Sequence, residues 1–137
     1  MTYLLDTDIL SNLLKRTPST ILIVKLASVP PEQQFTSSIT LGELFYGAHR
    51  LQERSTHLLQ RLNEALLPNL PVLPFDAAAA RRYGALRAEL ERNGTPLGDA
   101  DLRIGAIALA RGLTMVTGNV RHFQRIPGLT VENWLVQ

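Results

Sequence analysis

The sequence predicts an α/β fold, an α/β/α sandwich in which a central parallel sheet lies between two layers of helices. Two observations lead to this prediction. Short apolar runs of strand length alternate with longer segments whose apolar residues recur at helical spacing. Proline, glycine and capping residues mark most of the junctions between them. The 137 residues suffice for one ordinary domain spanning 1–137, and no linker, repeat or low-complexity segment divides it.

The first half of the chain is predicted to hold two strands and four helices. Ile9 and Leu13 illustrate the helical spacing of apolar residues, and Val29-Pro30-Pro31 breaks the helix before it. The strands are residues 2–5 and 35–38, and the helices are 7–14, 19–27 with Pro18 at the first helical position, 40–51, and 53–67 ending before Pro68.

The second half is predicted to hold three strands and three helical segments. Asp76 caps a long helix that Asn93-Gly94 ends, and Gly112 stops the next one. The strands are residues 72–75, placed at a sheet edge because of Pro74, 113–116 and 129–131; the helices are 76–92, 99–110 and 121–124.

Composition excludes several classes of protein. No apolar run approaches the roughly 18 residues of a membrane span, and no basic segment followed by an apolar run opens the chain. We therefore expect a cytoplasmic protein without membrane contact. The chain has no cysteine, which excludes disulfides, thiol catalysis and cysteine-based zinc sites.

Arginine dominates the basic residues. Twelve of the fourteen cations are Arg, the side chain suited to bidentate phosphate contacts, although Arg is also frequent in proteins from GC-rich genomes. If several acids are gathered in one site, the remaining surface is distinctly basic, which favours a nucleic-acid substrate. Lys15, Arg16 and Arg87 are candidates for substrate contact.

Four carboxylates follow the ends of apolar segments at the starts of helices: Asp6, Glu43, Asp99 and Asp101. In a parallel sheet these points converge on the edge formed by the carboxyl ends of the strands. One like-charge pair at 4 Å costs about 4 kcal/mol at an effective dielectric constant of 20. Protons or a hard cation must neutralise such a cluster, and Mg²⁺ takes oxygen ligands of this kind. The sequence therefore predicts a metal-dependent enzyme acting on phosphate esters.

Each acid also has a purely structural explanation. A carboxylate in the first turn of a helix is stabilising by about 0.3–1 kcal/mol without any function. Thr40 and Glu43 fit a capping box, in which Glu43 reaches back to the backbone N–H of Thr40. Asp8 lies inside the first turn of its helix and is assigned mainly a structural role. His122 is interpreted as a surface residue.

Asn119 follows the fourth predicted strand, so it belongs to the same edge of the sheet as the acids. Asn commonly occupies turns for conformational reasons. Its amide could instead orient a water or a carboxylate.

Four short motifs, in order and at matching separations, make this chain resemble the PIN-domain ribonucleases, specifically the VapC toxins of bacterial toxin–antitoxin pairs. The resemblance covers essentially the whole chain. The motifs are LLDTDIL at residues 4–10, ITLGELFYG at 39–47, LGDADLRIGA at 97–106 and VTGNVRHF at 116–123. Asp8 stands where Asn is usual in the family.

The resemblance implies a PIN-like α/β/α sandwich in which Asp6, Glu43 and Asp101 form the acidic centre. Asn119 falls where some members have a fourth acid, and Asp99 is a candidate to replace that charge. The family further implies Mg²⁺ or Mn²⁺ as cofactor, structured RNA such as tRNA as substrate, homodimerisation and a VapB-like antitoxin. In this interpretation Asp6 and Asp101 are the principal metal ligands, and Glu43 holds a ligand or the attacking water.

Three alternatives differ in chemistry. Asp6-Thr7-Asp8 and Gly98-Asp99-Ala100-Asp101 also resemble motifs of the haloacid-dehalogenase phosphatases. That class normally has a lysine between these two motifs, and the phospho-receiver domains have a late lysine, whereas Lys15 and Lys25, the only lysines here, both lie very early in the chain. The third alternative is a non-catalytic PIN module that only binds partners, against which the intact acids argue.

Overall fold

The computed structural model describes residues 1–137 and contains one five-stranded parallel sheet. The strands follow the order β3-β2-β1-β4-β5, with β1 in the centre, and every neighbouring pair is parallel. The strands are β1 (Tyr3–Leu5), β2 (Gln34–Ser37), β3 (Val72–Leu73), β4 (Thr114–Val116) and β5 (Val131–Glu132). The predicted parallel sheet and the edge position of β3 are confirmed.

Seven α-helices surround the sheet. They are α1 (Thr7–Leu13), α2 (Thr20–Ser28), α3 (Ser38–His49), α4 (Ser55–Arg61), α5 (Ala77–Arg92), α6 (Asp99–Arg111) and α7 (Val120–Phe123). Helix α4 continues as a π-helical turn over Leu62–Leu66. No helix has the length and apolarity needed to cross a membrane.

Alternating side chains of the central strands divide the core into two halves. Leu4 and Met115 face the cluster formed with α5, α6 and α7, whereas Leu5 and Val116 face the cluster formed with α1 to α4. All four side chains are buried. Because neighbouring residues of a strand point to opposite faces, these two central strands separate the helical layers of an α/β/α sandwich.

Most predicted boundaries lie within two residues of the observed ones, but two capping predictions are wrong. Ser37, not Thr40, caps α3, since the Ser37 hydroxyl accepts a hydrogen bond from the backbone N–H of Thr40 at 3.0 Å. Ser19 caps α2 in the same way, which leaves Pro18 outside the helix. For α3 the reason is that β2 ends at Ser37, one residue earlier than the apolar pattern indicates.

The register of the sheet brings the ends of β1 and β4 together. Leu5 pairs with Val116, and the Asp6 backbone N–H donates to the Val116 carbonyl at 2.9 Å. Asp6 and Thr117, the residues that follow the two strands, therefore lie side by side at the carboxyl edge of the sheet.

Candidate active site

An open groove crosses the carboxyl edge of the sheet above β1 and β4. Four acids line it, contributed by the end of β1, by α1, by α3 and by α6. The lining residues are Asp6, Thr7, Asp8, Ser11, Asn12, Lys15, Glu43, Asp101, Gly118, Asn119 and Leu135. The groove brings together Asp6, Glu43, Asp101 and Asn119, the residues that the sequence predicts at one edge of the sheet.

Asp6 is the buried centre of the groove, with 5% of its surface exposed. One carboxylate oxygen accepts from the Thr7 backbone N–H at 2.8 Å, and the other accepts from the Thr117 hydroxyl at 2.8 Å. Thr117 is itself fully buried and also accepts from the Asn119 backbone N–H at 3.0 Å. The carboxylate is therefore held rigidly between the two strand ends.

Burial raises the pKa of Asp6 from its ordinary value of 3.8 to about 7. The hydrogen bonds from Thr117 and Thr7 oppose this rise, while the charges of Asp8 and Asp101 add to it. The free protein therefore holds Asp6 only partly ionised near neutral pH. A cation in the groove would favour the ionised form, because an opposite charge nearby lowers a carboxyl pKa.

Asp8 lies in the groove, contrary to its predicted structural role. Its carboxylate accepts from the Gly118 backbone N–H at 2.8 Å and lies 3.4 Å from the Thr117 hydroxyl. A Cβ at position 118 would come within 2.8 Å of the same carboxylate, so the close approach requires glycine there. Asp8 thus ties the start of α1 to the turn after β4.

Glu43 reaches the groove from α3. One carboxylate oxygen, Oε1, accepts from the Thr7 hydroxyl at 2.6 Å, and that hydroxyl lies 3.3 Å from the hydroxyl of Thr40. Glu43 is thus oriented toward α1 and is not the capping-box partner of Thr40. The Thr7 hydroxyl, which sequence reasoning missed, links Glu43 to the helix that begins at Asp6.

Asp101, in the first turn of α6, contacts a histidine. Nδ1 of His122 lies 3.2 Å from Asp101 Oδ2 and 2.9 Å from the side-chain amide of Asn119. One ring nitrogen cannot donate to Asp101 and also accept from an amide N–H. A bifurcated Nδ1–H bond to Asp101 and to the carbonyl oxygen of a rotated Asn119 amide satisfies both contacts. His122 is therefore a site residue, contrary to its predicted surface role.

Asp99 does not reach the groove. Its carboxylate accepts from the Tyr83 hydroxyl and from Nε of Arg103 at 2.7 Å, and Arg87 lies 3.8 Å away. The Tyr83 hydrogen bond, and then the one from Arg103, keep the pKa of Asp99 below its ordinary value. Its charge is satisfied on the α5–α6 face, so the structure offers Asp8, not Asp99, as the additional acid of the groove.

The groove suits a hydrated divalent cation better than a closed metal cage. No three acidic or histidine side chains are placed to hold one ion directly. Mg²⁺ commonly keeps several waters and binds through one or two carboxylates and substrate phosphates. The carboxylate oxygens of Asp6, Asp8 and Asp101 are donors that suit an ion of that kind. A cation would also compensate the charge of Asp6, whose ionised form burial disfavours.

The three candidates for substrate contact lie in different places. Lys15 lines the acidic groove, and Arg16 lines a second groove beside it. Arg87 pairs with Glu91 at 3.2 Å and contacts Tyr83 at 2.9 Å on the α5–α6 face. Of the three candidates, only Lys15 and Arg16 therefore lie near the acidic groove.

Comparison with known proteins places this geometry in context. The family model described as PIN domain matches residues 3–129. The tRNA(fMet)-specific endonuclease VapC of Shigella flexneri is 38% identical over 132 residues, which cover 96% of this chain and 97% of that protein.

Two solved structures show the same fold. The crystal structure of DNA-bound VapBC from Salmonella typhimurium has a chain with TM-score 0.87 and 38% identity, covering 98% of each chain. A toxin–antitoxin complex from Klebsiella pneumoniae has a chain with TM-score 0.73 and 30% identity, covering 94% of this chain and 96% of the other.

Proposed function

Because the chain belongs to the PIN-domain family, and within it to the VapC-type ribonucleases, we propose that it is a Mg²⁺- or Mn²⁺-dependent endoribonuclease. It is the toxin of a toxin–antitoxin pair and cleaves structured RNA such as tRNA in the cytoplasm. The observation that carries the proposal is the groove in which Asp6, Asp8, Glu43 and Asp101 face one another above the ends of β1 and β4.

The relatives support both the substrate and the partner. The Shigella protein is named for cleavage of a tRNA, and the Salmonella structure is a VapBC assembly. The Klebsiella structure is a toxin–antitoxin complex. A VapB-like antitoxin is accordingly the cognate partner of this chain, and homodimerisation belongs to the same proposal.

Asp6 and Asp101, with Asp8 beside them, are the residues that would hold the cation. A divalent cation bound there would supply charge neutralisation for phosphate oxygens and a lowered pKa for a bound water. Asp6 is suited to this task because the hydrogen bonds from Thr7 and Thr117 fix its orientation before any ligand arrives. Preorganisation of this kind avoids the free energy of reorganising the ligands during the reaction.

Glu43 is the residue placed to handle a proton. Its Oε1 is occupied by the Thr7 hydroxyl, and the side chain is exposed at the groove, which leaves Oε2 to accept a hydrogen bond from a water. A water held there is oriented toward a phosphodiester that lies over Asp6 and Asp101. Glu43 Oε2 then takes a proton from this water as its oxygen bonds to phosphorus, the P–O bond to the leaving ribose breaks, and the leaving oxygen takes a proton from solvent.

His122 and Asn119 position Asp101. His122 engages Oδ2 of Asp101 at 3.2 Å, so that Asp101 Oδ1 is left for the cation or its waters, and Asn119 holds the His122 ring through its contact at 2.9 Å. Partners of this kind fix the orientation of a metal-binding carboxylate. Asn119 thus acts through His122 and Asp101 and not as a ligand itself.

The test is cleavage of tRNA by the purified chain with and without divalent cation. We expect cleavage in Mg²⁺ or Mn²⁺, loss of cleavage in excess chelator, and loss in Asp101→Asn. Undiminished cleavage in chelator contradicts metal dependence. A folded, metal-loaded chain that binds RNA but never cuts it would show that the protein is a non-catalytic PIN module.

The match to the PIN-domain family excludes the phosphatase and phospho-receiver alternatives. The model matches residues 3–129 as a PIN domain, and the relatives cover nearly the whole chain.

A further inference from the structure

A second groove continues the acidic one along α3. It is walled by the end of α1, by α3 and by α4, and it shares Ser11, Lys15 and Glu43 with the acidic groove. Glu43 therefore stands at the junction of the two grooves. Leu44 and Ala48, which are buried, form part of its floor. A ligand held in this second groove extends directly from the acidic site.

The second groove is lined by five cations and a single acid, Glu43. The cations are Lys15, Arg16, Arg50, Arg54 and Arg61. None of them takes part in an ion pair, whereas Arg87, Arg103 and Arg111 on α5 and α6 are each paired with an acid. Such a concentration of uncompensated positive charge attracts a polyanion. Arg61 is held in place by its hydrogen bond to the Leu14 carbonyl at 2.6 Å.

An exposed aromatic ring stands beside these cations. Tyr46 is 68% exposed, and the guanidinium carbon of Arg50 lies 5.7 Å from the centre of its ring. Glu43, Tyr46 and Arg50 are separated by three and four residues, so they lie along one face of α3. Aromatic rings and arginine planes are the groups on which unpaired bases stack in single-stranded nucleic acid.

We propose that this second groove holds the single-stranded RNA segment next to the scissile phosphate, an inference that rests on the proposed endoribonuclease function. Lys15, Arg16, Arg50 and Arg54 contact successive phosphates, and Tyr46 stacks one base. The strand leaves the acidic site past Glu43 and runs along α3 toward α4. The contacts are to phosphate and to a base face, so they bind RNA without selecting its sequence.

The experiment measures binding of a fluorescein-labelled 12-nucleotide single-stranded RNA in the full chain carrying Asp101→Asn, which keeps the probe uncut. In that background, Arg50→Gln with Arg54→Gln removes two groove charges. Arg81→Gln with Arg82→Gln removes two exposed charges of α5, which take part in no ion pair, and is the matched control.

We expect the groove pair of substitutions to raise Kd at least tenfold and the control pair to change it less than twofold. The slope of log K against log salt concentration is negative, and for the groove pair it should become shallower by about 1.4. Each lost phosphate contact on single-stranded nucleic acid accounts for about 0.7 of this change. Tyr46→Ala should weaken binding about tenfold, and Tyr46→Phe should retain it. Equal effects of the groove and control pairs would overturn the proposal.

Cleavage kinetics separate this proposal from the proposed function. With the catalytic acids intact, the groove pair should raise KM for RNA with kcat nearly unchanged, because binding along the groove is equal in the ground and transition states. A parent chain that binds through the groove but never cuts RNA defeats the proposed function alone. A parent chain that cuts RNA, with groove variants that match it in KM and Kd, defeats the groove alone.

The alternative occupant of the second groove is a peptide segment of a partner protein. If the groove variants keep full RNA affinity but lose binding of the cognate antitoxin, the groove is a protein-docking surface and the RNA proposal is wrong. Unchanged thermal melts of all variants confirm that they are folded, as expected for exposed side chains.

Discussion

Replacing Asp6 by Asn should stabilise the metal-free protein in a way that grows with pH. Asp6 is buried at the ends of β1 and β4, where burial raises its carboxyl pKa to about 7. Asn keeps the same shape. Its carbonyl oxygen accepts from the Thr7 N–H, and its amide donates to the Thr117 hydroxyl, which then donates to Asp8. The substitution therefore removes the buried charge while leaving the hydrogen bonds in place.

The direction and size of the effect follow from the raised pKa. Well below pH 3.8, Asp6 is protonated in the folded and unfolded states alike, and no charge is buried. Between about pH 4 and pH 7 the unfolded chain loses this proton first, so the free energy of unfolding of the wild type decreases. A carboxyl pKa raised from 3.8 to about 7 corresponds to a loss of about 4 kcal/mol, of which about 2.5 kcal/mol falls between pH 5 and pH 8.

Urea unfolding in chelator, followed by the fluorescence of the single tryptophan, Trp134, measures the effect. Trp134 is buried in the native state, so its emission reports unfolding. The stability of Asp6→Asn minus that of the wild type should rise by about 2.5 kcal/mol from pH 5 to pH 8. Saturating Mg²⁺ should stabilise the wild type at pH 8 by mass action and the variant much less.

The control is Asp76→Asn, which changes an exposed helix cap whose pKa is lowered chiefly by the Ala79 backbone N–H. A lowered acid pKa stabilises the folded state above the unfolded pKa, and that stabilisation is lost as pH falls. Asp76→Asn should therefore never gain stability relative to the wild type as pH rises. A constant difference between Asp6→Asn and the wild type from pH 5 to pH 8 would refute the reasoning about Asp6.

Four further substitutions test individual roles in and beside the acidic groove. Glu43→Gln should fold with unchanged stability but lose most RNA turnover, because an amide cannot take a proton from water. Wild-type turnover in this variant would show that the role of Glu43 is only structural. Asn119→Asp should retain cleavage, since an acid at this position can still accept from His122; a folded but inactive variant would show that the amide itself is required. Asp8→Asn should reduce the stabilisation of the protein by Mg²⁺, whereas Asp99→Asn should leave both this stabilisation and cleavage near wild type; the opposite result would place Asp99 at the metal. Thermal melts in Mg²⁺ and in chelator, with cleavage assays, measure the effects of all four.

The sequence could predict the elements whose signals are local. Asp76 and Gly112 begin and end their helices as expected, because a cap depends only on residues within one turn. Thr40 failed as a cap because β2 ends at Ser37, and the residue that ends the strand presents its side chain to the free N–H groups of α3. That boundary depends on pairing with β1 and β3, which no local pattern contains.

The composition of the acidic groove could be predicted only in part. Asp6, Glu43 and Asp101 lie where strand polarity and the family motifs place them. Asp8 and Asp99 carry equivalent local signals, since each is an acid in the first turn of a helix. Asp8 binds the backbone of Gly118, 110 residues away, whereas Asp99 binds Tyr83 and Arg103.

The sequence by itself determined the order of strands and helices, and therefore the edge of the sheet at which the acids gather, because parallel strands all point the same way. Only the tertiary structure decided which acids face the groove. Each step of one residue along a helix rotates the side-chain direction by about 100°. An acid in the first turn of a helix can therefore face the groove or point away from it, depending on how the helix is packed. The packing of α1 beside the turn after β4 directs Asp8 into the groove. The packing of α6 against α5 directs Asp99 toward Tyr83, away from the groove.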